Sequence, residues 1–287
     1  MITTDSKMPL ILPKDCIAIP LVTDLAVYRM KEAYQLSRVL WWRLQYWFVR
    51  RRANFFLTIS EFTKQEMIRI WGIPADKIHI VPCACSKELK RVTDAEKLTT
   101  LRKKYDLPEH FLLFVGNFNP RKNLERLIHA YDQARNSGKV THQLVIAGEQ
   151  GWKFDKQAAL QGITHQDDVR FIGFVPDEDM AALYSASDAF LFPTLYEGFG
   201  IPVIEAQRCG TPVLTSNVSS LPEVGGDAAV YVDPYDIDDI CNGILKIVSG
   251  ASLIQELRQK GYTNAKRFSW EKSAEKLRDI IEREAVR

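Results

Sequence analysis

Residues 192–209 read FPTLYEGFGIPVIEAQRC. The stretch starts as an apolar strand end, turns tightly through Gly198-Phe199-Gly200, and enters a helix. Pro202 falls in the first helical turn, where a missing N–H costs nothing. A strand passing through a glycine turn straight into a helix is the junction of a parallel α/β sheet. Backbone N–H groups at such a turn and helix start form an anion site. Glu197 stands before the helix and Glu205 eight residues later within it. A carboxylate in that position can hold sugar or ribose hydroxyls by charge-assisted hydrogen bonds.

Working outward, the same alternation of strand and helix runs through the chain. Phe111–Val115 (FLLFV) is a continuous apolar run, as in a parallel strand covered on both faces. Helix 124–135, strand 143–147, a helix near 153–160, strand 169–172, helix 177–185 and strand 189–193 follow. After helix 200–209 come strand 212–215, a loop, strand 229–232, helices 237–249 and 252–268, and a last helix from Trp270. Earlier, an apolar run at 16–21, a long helix at 29–52, strand 54–59, a helix capped by Ser60, and strand 77–81 repeat the theme. The expected fold class is α/β with a doubly wound parallel sheet.

The turn after FLLFV, Val115-Gly116-Asn117-Phe118-Asn119-Pro120-Arg121-Lys122-Asn123, lies at the carboxyl end of a strand, where such folds bind ligands. Arg121 and Lys122 supply cations for an anionic group without a metal. The five histidines are scattered, and no Asp-x-Asp or His/Asp cluster stands out, so no metal site is expected. Cys83 and Cys85 form a lone C-x-C with no second pair, which argues against zinc. An odd number of cysteines in a chain this long reads as reduced thiols of a cytosolic protein.

With 46% hydrophobic and 26% charged residues, the composition is that of a globular protein and excludes disorder and low-complexity classes. A net charge of +2 gives no global field for nucleic acid. The start has no basic segment followed by a long apolar run, so no signal peptide is read, and no apolar stretch reaches the length of a membrane span. One local excess stands out. Residues 29–52 hold seven basic residues and one acid, with Trp41, Trp42, Tyr46, Trp47 and Phe48 among Arg38, Arg43 and Arg50–Arg52. Such a helix suits the surface of an anionic membrane. The alternative is a core helix, buried through Leu36, Leu40, Leu44 and Trp47/Phe48.

At this point the chain resembles the retaining GT-B glycosyltransferases of family 4, the glycosyl transferases group 1. The resemblance rests on VGNFNPRKN (115–123), LVIAGEQG (144–151), the long stretch 171–217 that contains the opening segment, and LPEVGGDAAVYVDP (221–234), all in order. It implies a GT-B-like chain with a complete Rossmann-like donor domain at 86–269, a partial acceptor-side α/β domain at 1–85, and a terminal helix, 270–287, packing back on the first part. Residue by residue, Glu205 would hold the nucleotide ribose and Glu197 the donor sugar near the reacting centre. Backbone amides of Gly198, Phe199 and Gly200 would face sugar hydroxyls and diphosphate. Lys122 would take the diphosphate, with Gly116 and Asn117 in the same loop. The family often has Arg where Asn117 stands, and Arg121 would replace that charge. Phe174 and Val175 fall where backbone meets the base. Glu223 is read as a loop acid and Asp188 as a helix–strand junction residue.

The implied reaction is retaining, metal-independent transfer of a hexose from a nucleoside diphosphate sugar, GDP-mannose or a UDP-sugar, with no cofactor. The acceptor would be a lipid-linked saccharide or polysaccharide, on the cytoplasmic side and peripheral to the membrane through 29–52. The PRKN variant at 120–123 and the basic aromatic helix point to mannosyl transfer of the O-antigen kind. PLVTDLAVYR (20–29) resembles the family's strand ending in His-Asp, but the His is Thr23 while Asp24 remains. The segments that usually precede that strand, including a glycine-rich acceptor loop, have no counterpart. The alternative is therefore a donor-binding subunit or truncated fragment, inactive alone and completed by a partner chain or a second copy. A GT-B epimerase or an NAD-linked Rossmann enzyme is a third reading, and the lack of a G-x-G-x-x-G after a first strand argues against the NAD option.

Overall fold

The computed structural model of the chain describes residues 1–3, 9, 13, 16–31 and 34–285. The chain divides into two units. One comprises Met1–Ala84, Glu197–Phe199 and Phe268–Arg287; the other comprises Cys85–Tyr196 and Gly200–Arg267.

In the first unit, β1 (Ile2–Thr3), β2 (Ile19–Val22), β3 (Phe56–Thr58) and β4 (Ile78–Ile80) form a sheet in that order, with every pair parallel. Helices α1 (Ala26–Arg29) and α2 (Leu36–Arg52) connect β2 to β3, and α3 (Glu61–Trp71) connects β3 to β4. Side chains alternate across a strand, so the sheet has a core on each face. Phe56 packs with Val39, Tyr46, Val49, Met67 and Trp71, whereas Phe55 and Leu57 pack with Ile19 on the other side. Ser60 caps α3 by accepting the Thr63 N–H at 3.1 Å, and Gly72 ends it at φ 66°. Glu66 of α3 is buried. It accepts from Arg29 Nη2 at 2.7 Å and Arg69 Nη2 at 2.9 Å, as a buried carboxylate must.

Two expectations are corrected here. The helix expected to run unbroken from Arg29 is divided: α1 ends at Arg29, Met30 leaves helical geometry with ψ 55°, and α2 starts at Leu36. The face of α2 expected in the core is the outer one. Leu36, Leu40, Trp41, Leu44 and Trp47 are exposed, while Val39, Tyr46 and Val49 are buried. Both faces of the helix are apolar, so periodicity alone could not choose between them. The attachment to β2 and β3 made the choice.

The second unit begins with α4 (Ala95–Lys104) and continues β5 (Phe111–Val115), α5 (Leu124–Asn136), β6 (Gln143–Ala147), α6 (Lys156–Leu160), β7 (Val169–Gly173), α7 (Asp177–Ala186), β8 (Ala189–Phe192), α8 (Ile201–Arg208), β9 (Val213–Ser216), α9 (Leu221–Gly225), β10 (Ala229–Val232), α10 (Ile237–Val248) and α11 (Ala251–Ala265). Its six strands are all parallel, in the order β10-β9-β8-β5-β6-β7. The chain winds outward from β5 to β7, then restarts at β8 on the other side of β5. The carboxyl ends of β5 and β8 therefore flank a switch point, where open α/β sheets bind ligands. The strands read as unbroken apolar runs because helices cover both faces. Where a loop was expected after β9 there is the short helix α9, with Pro222 in its first turn.

The final helix, α12 (Trp270–Ala285), belongs to the first unit. Its Leu277 and Ile280 cover Ile19, Phe55 and Leu57, and Ser273 Oγ donates to the Pro82 carbonyl at 2.7 Å.

Candidate functional site

In the second unit the site is built at the carboxyl ends of β5, β7 and β8. After β5 the chain passes Gly116 and the exposed Asn117, and Asn119 caps a 3₁₀ turn over Pro120–Lys122 through the Arg121 N–H. This turn folds Lys122 back over its own strand end. The lysine is 9% exposed. A Cβ on Gly116 would lie 3.5 Å from Lys122 Cε and 3.8 Å from Nζ, so the ammonium group lies along the Gly116 backbone. Nζ also sits 4.6 Å from the centre of the Phe192 ring, over its face. The electron-rich face of the ring favours a cation there, and a positive group at a strand end suits an incoming anion.

Arg121 is used differently. Its Nη1 donates to the Tyr196 carbonyl at 2.8 Å, and its own carbonyl accepts the Leu195 N–H at 2.9 Å. The arginine thus ties the β5 turn to the turn after β8. Asn123, which sequence reading passed over, does the same. At φ 58°, its side-chain amide donates to the carbonyls of Pro193 and Pro234 at 2.9 and 2.7 Å. An Asn ahead of a helix and next to a basic pair is the only sequence signal for it.

Helix α8 starts at Gly200, whose φ of 110° suits glycine, and no side chain caps it. Its amino-terminal N–H groups are therefore oriented for an anion. Glu205 lies one turn further along, beneath the Tyr184 hydroxyl, which donates to its Oε2 at 3.0 Å. Burial raises the Glu205 pKa, the Tyr184 bond opposes the rise, and Asp177 adds to it. Glu205 opens on a cleft of about 410 Å³, lined also by Ser86, Glu88, Asp177, Glu178 and Met180. The size fits a small ligand. Carboxylates on its walls accept hydrogen bonds from hydroxyls and repel phosphate, so the cleft suits a polyol such as ribose. Nothing in the sequence signalled Asp177, Glu178, Ser86, Glu88 or Tyr184 as site residues. Phe174 is 64% exposed just beyond β7, while the next residue, Val175, is buried.

Glu197, Gly198 and Phe199 group with the first unit. Gly198 is sterically required: a Cβ would collide with the Thr23 carbonyl oxygen and stand 2.9 Å from Asp24 Cβ. Its carbonyl accepts from Ser60 Oγ at 2.7 Å and Thr63 Oγ1 at 3.3 Å. Glu197 is buried. Asp24 Oδ1 accepts the Ala26 N–H at 2.9 Å, so one carboxyl oxygen caps α1. The structure brings together Thr23, Asp24 and the Glu197–Phe199 turn in the first unit, and Gly116, Lys122 and Arg121 in the second.

No His/Asp cluster stands out in the sequence, but the fold assembles one. His110, His142 and Asp188 place ligand atoms within 4.8 Å of one another. They are far apart in sequence, and the strand order joins them.

The sequence profile of the family described as glycosyl transferases group 1 matches residues 99–268, and that of Glycosyltransferase Family 4 matches residues 22–88. The O-antigen chain mannosyltransferase B of Escherichia coli is 36% identical over 250 residues, covering 86% of this chain and 65% of that protein. The serotype-specific mannosyltransferase WbdA of Escherichia coli is 34% identical over 228 residues, covering 78% of this chain and 28% of that protein. The chain thus spans less than two thirds of the length of these relatives. Among solved structures, sucrose-phosphate synthase from Thermosynechococcus elongatus aligns with a TM-score of 0.76 at 24% identity, over 93% of this chain and 67% of that one. Anabaena HepE in complex with UDP-glucose aligns with a TM-score of 0.78 at 16% identity, over 93% and 72%. At these identities the likeness is one of fold. With a profile match over more than half its length, on the segment that carries Lys122, the glycine turn and Glu205, the chain belongs to the glycosyl transferases group 1 family and has its GT-B α/β fold.

Proposed function

We infer that this chain is a retaining hexosyltransferase that moves mannose from GDP-mannose to a lipid-linked or polysaccharide acceptor in surface polysaccharide assembly. The observation that carries the reading is the division of labour in the second unit: an acidic cleft on Glu205 and a buried, aromatic-seated Lys122 at the switch point. The acids take the ribose hydroxyls. Lys122, Arg121 and the start of α8 take the diphosphate, and the backbone at Phe174 and Val175 takes the base. Glu197 holds the donor sugar, and Asp24 acts on the acceptor side. As the bond from the anomeric carbon to the diphosphate breaks, the electron pair leaves with the diphosphate and positive character grows on the sugar ring. Cations and helix-start amides fixed in advance stabilise that leaving group without reorganising, the part that a metal ion would otherwise play. Mannose is favoured because both Escherichia coli relatives are named mannosyltransferases.

A lipid-linked acceptor also gives α2 a role. Its outer stripe, Leu36, Leu40, Leu44 and Trp47 with Trp41 beside it, is exposed. The helix carries five arginines and no acid. Apolar side chains fringed by arginine are complementary to anionic lipid, which would keep the enzyme peripheral on the cytoplasmic face. Among the described residues no helix is long and apolar enough to cross a membrane.

The test is calorimetric titration of the chain, in chelator, with GDP-mannose, UDP-glucose, UDP-GlcNAc and dTDP-rhamnose. GDP-mannose should bind, and Lys122→Ala should weaken it by roughly 10- to 100-fold, the worth of one charged hydrogen bond. A folded chain that binds none of the four would overturn the reading.

A further inference from the structure

At the amino-terminal edge of the sheet in the second unit, three adjacent parallel strands present a ligating side chain just before they begin. His110 precedes β5, His142 precedes β6 and Asp188 precedes β8. In the sheet β8, β5 and β6 are neighbours. The register pairs Phe111 with Gln143 and Leu112 with Ala189, which aligns the two histidines and sets Asp188 between strands. Asp188 is fixed by its backbone: its N–H donates to the Phe111 carbonyl at 2.9 Å, and its Oδ2 accepts the Phe111 N–H at 2.9 Å.

His110 Nδ1 lies 3.4 Å and His142 Nε2 3.7 Å from that same Oδ2. These separations exceed a good hydrogen bond. They are close to the edge of a coordination tetrahedron, roughly 3.3–3.4 Å for metal–ligand bonds of about 2.0–2.1 Å. The rings meet edge to face with centroids 5.8 Å apart. His142 Nδ1 is buried with no hydrogen-bond partner, so hydrogen bonding does not account for the placement of this imidazole. His110 is largely exposed, with 63% of its side chain in solvent, which provides an entry path and freedom to close the last ångström.

We propose that His110, His142 and Asp188 form a binding site for a divalent transition metal of the zinc class, with the fourth position left to water. Two imidazoles and a carboxylate suit zinc, cobalt or nickel rather than the all-oxygen shells of magnesium and calcium. The site lies at the opposite end of β5 from Gly116 and Lys122, roughly 17–20 Å away at strand rise. Its role is to staple three strands of the sheet, and it stands apart from sugar transfer. Failure of either reading leaves the other intact.

The experiment uses the full chain, stripped with chelator, dialysed and titrated with zinc chloride in a calorimeter at neutral pH, with a thermal melt at each end point. One zinc should bind per chain and raise the melting temperature. His110→Ala removes an exposed side chain outside the core, so the variant should fold like the parent. It should lose at least about tenfold in zinc affinity, together with the melting shift, and His142→Ala should repeat the loss. Absence of a saturable equivalent in the parent would overturn the site. So would binding that survives His110→Ala unchanged, which would assign the zinc to thiols such as Cys16 or Cys241.

Discussion

Glu205 combines two demands on one carboxyl group. It accepts most strongly from ribose hydroxyls when ionised, yet burial favours its neutral form. Its folded pKa lies above the ordinary value of 4.5. In the interval between those two values the unfolded chain has already lost the proton that the fold retains, so the group costs stability as pH rises through it. Two outcomes follow for Glu205→Gln. Its stability should be equal to or greater than the parent's at neutral pH by urea denaturation, because a neutral amide carries no charge to desolvate. Nucleotide affinity in the parent should rise with pH across that interval, whereas the variant should bind weakly and without pH dependence. A parent whose affinity is flat with pH would remove Glu205 from the ribose site. Tyr184 sharpens the point. Its hydroxyl is held far above the ordinary tyrosine pKa by burial and by Glu205, so it remains a donor to the carboxylate throughout.

At the scale of elements, α3 joins two tasks at its cap. Ser60 accepts the Thr63 N–H and donates to the Gly198 carbonyl, linking a helix cap to the glycine turn. Ser60→Ala should cost about 1–2 kcal/mol in urea denaturation from the lost cap. A variant as stable as the parent would show the turn to be held elsewhere. Helix α2 presents the opposite case, a stripe that the first unit leaves uncovered. The chain should sediment with vesicles of phosphatidylglycerol and phosphatidylethanolamine, less so with phosphatidylcholine alone, and less in high salt. Leu40→Ser with Leu44→Ser should abolish the effect while leaving the melting temperature unchanged, since both side chains are exposed. Concentration-dependent dimerisation relieved by the same pair would assign the stripe to a second copy instead.

For the molecule as a whole, the burial pattern predicts unequal independence of the two units. In the second, Phe111–Phe114, Leu144–Ile146 and Phe190–Phe192 are wholly buried in one six-stranded sheet. The segment 86–267 produced alone should therefore unfold cooperatively in urea and still bind nucleotide, and a species that exposes apolar surface to dye would refute this. The first unit depends on a distant part of the chain: Ile280 of α12 covers Ile19, Phe55 and Leu57. A chain shortened to end before Trp270 would bare that face of the sheet and should aggregate.

Local sequence determined much of this protein. The continuous run FLLFV read as a strand covered on both faces, and Ser60 with Gly72 bracketed a helix because cap chemistry acts over a few residues. The ordered motifs around Lys122, Gly198 and Glu205 identified the family. Tertiary structure alone decided what depends on neighbours distant in sequence. It turned the Leu36, Leu40, Leu44 and Trp47 face of α2 outward, since two apolar faces competed and the sheet could cover one. It put Tyr184 over Glu205, because α7 and α8 flank the same strand. It also gathered His110, His142 and Asp188, which no spacing rule connects, because the winding of the sheet makes β8, β5 and β6 neighbours and brings their first residues to one edge.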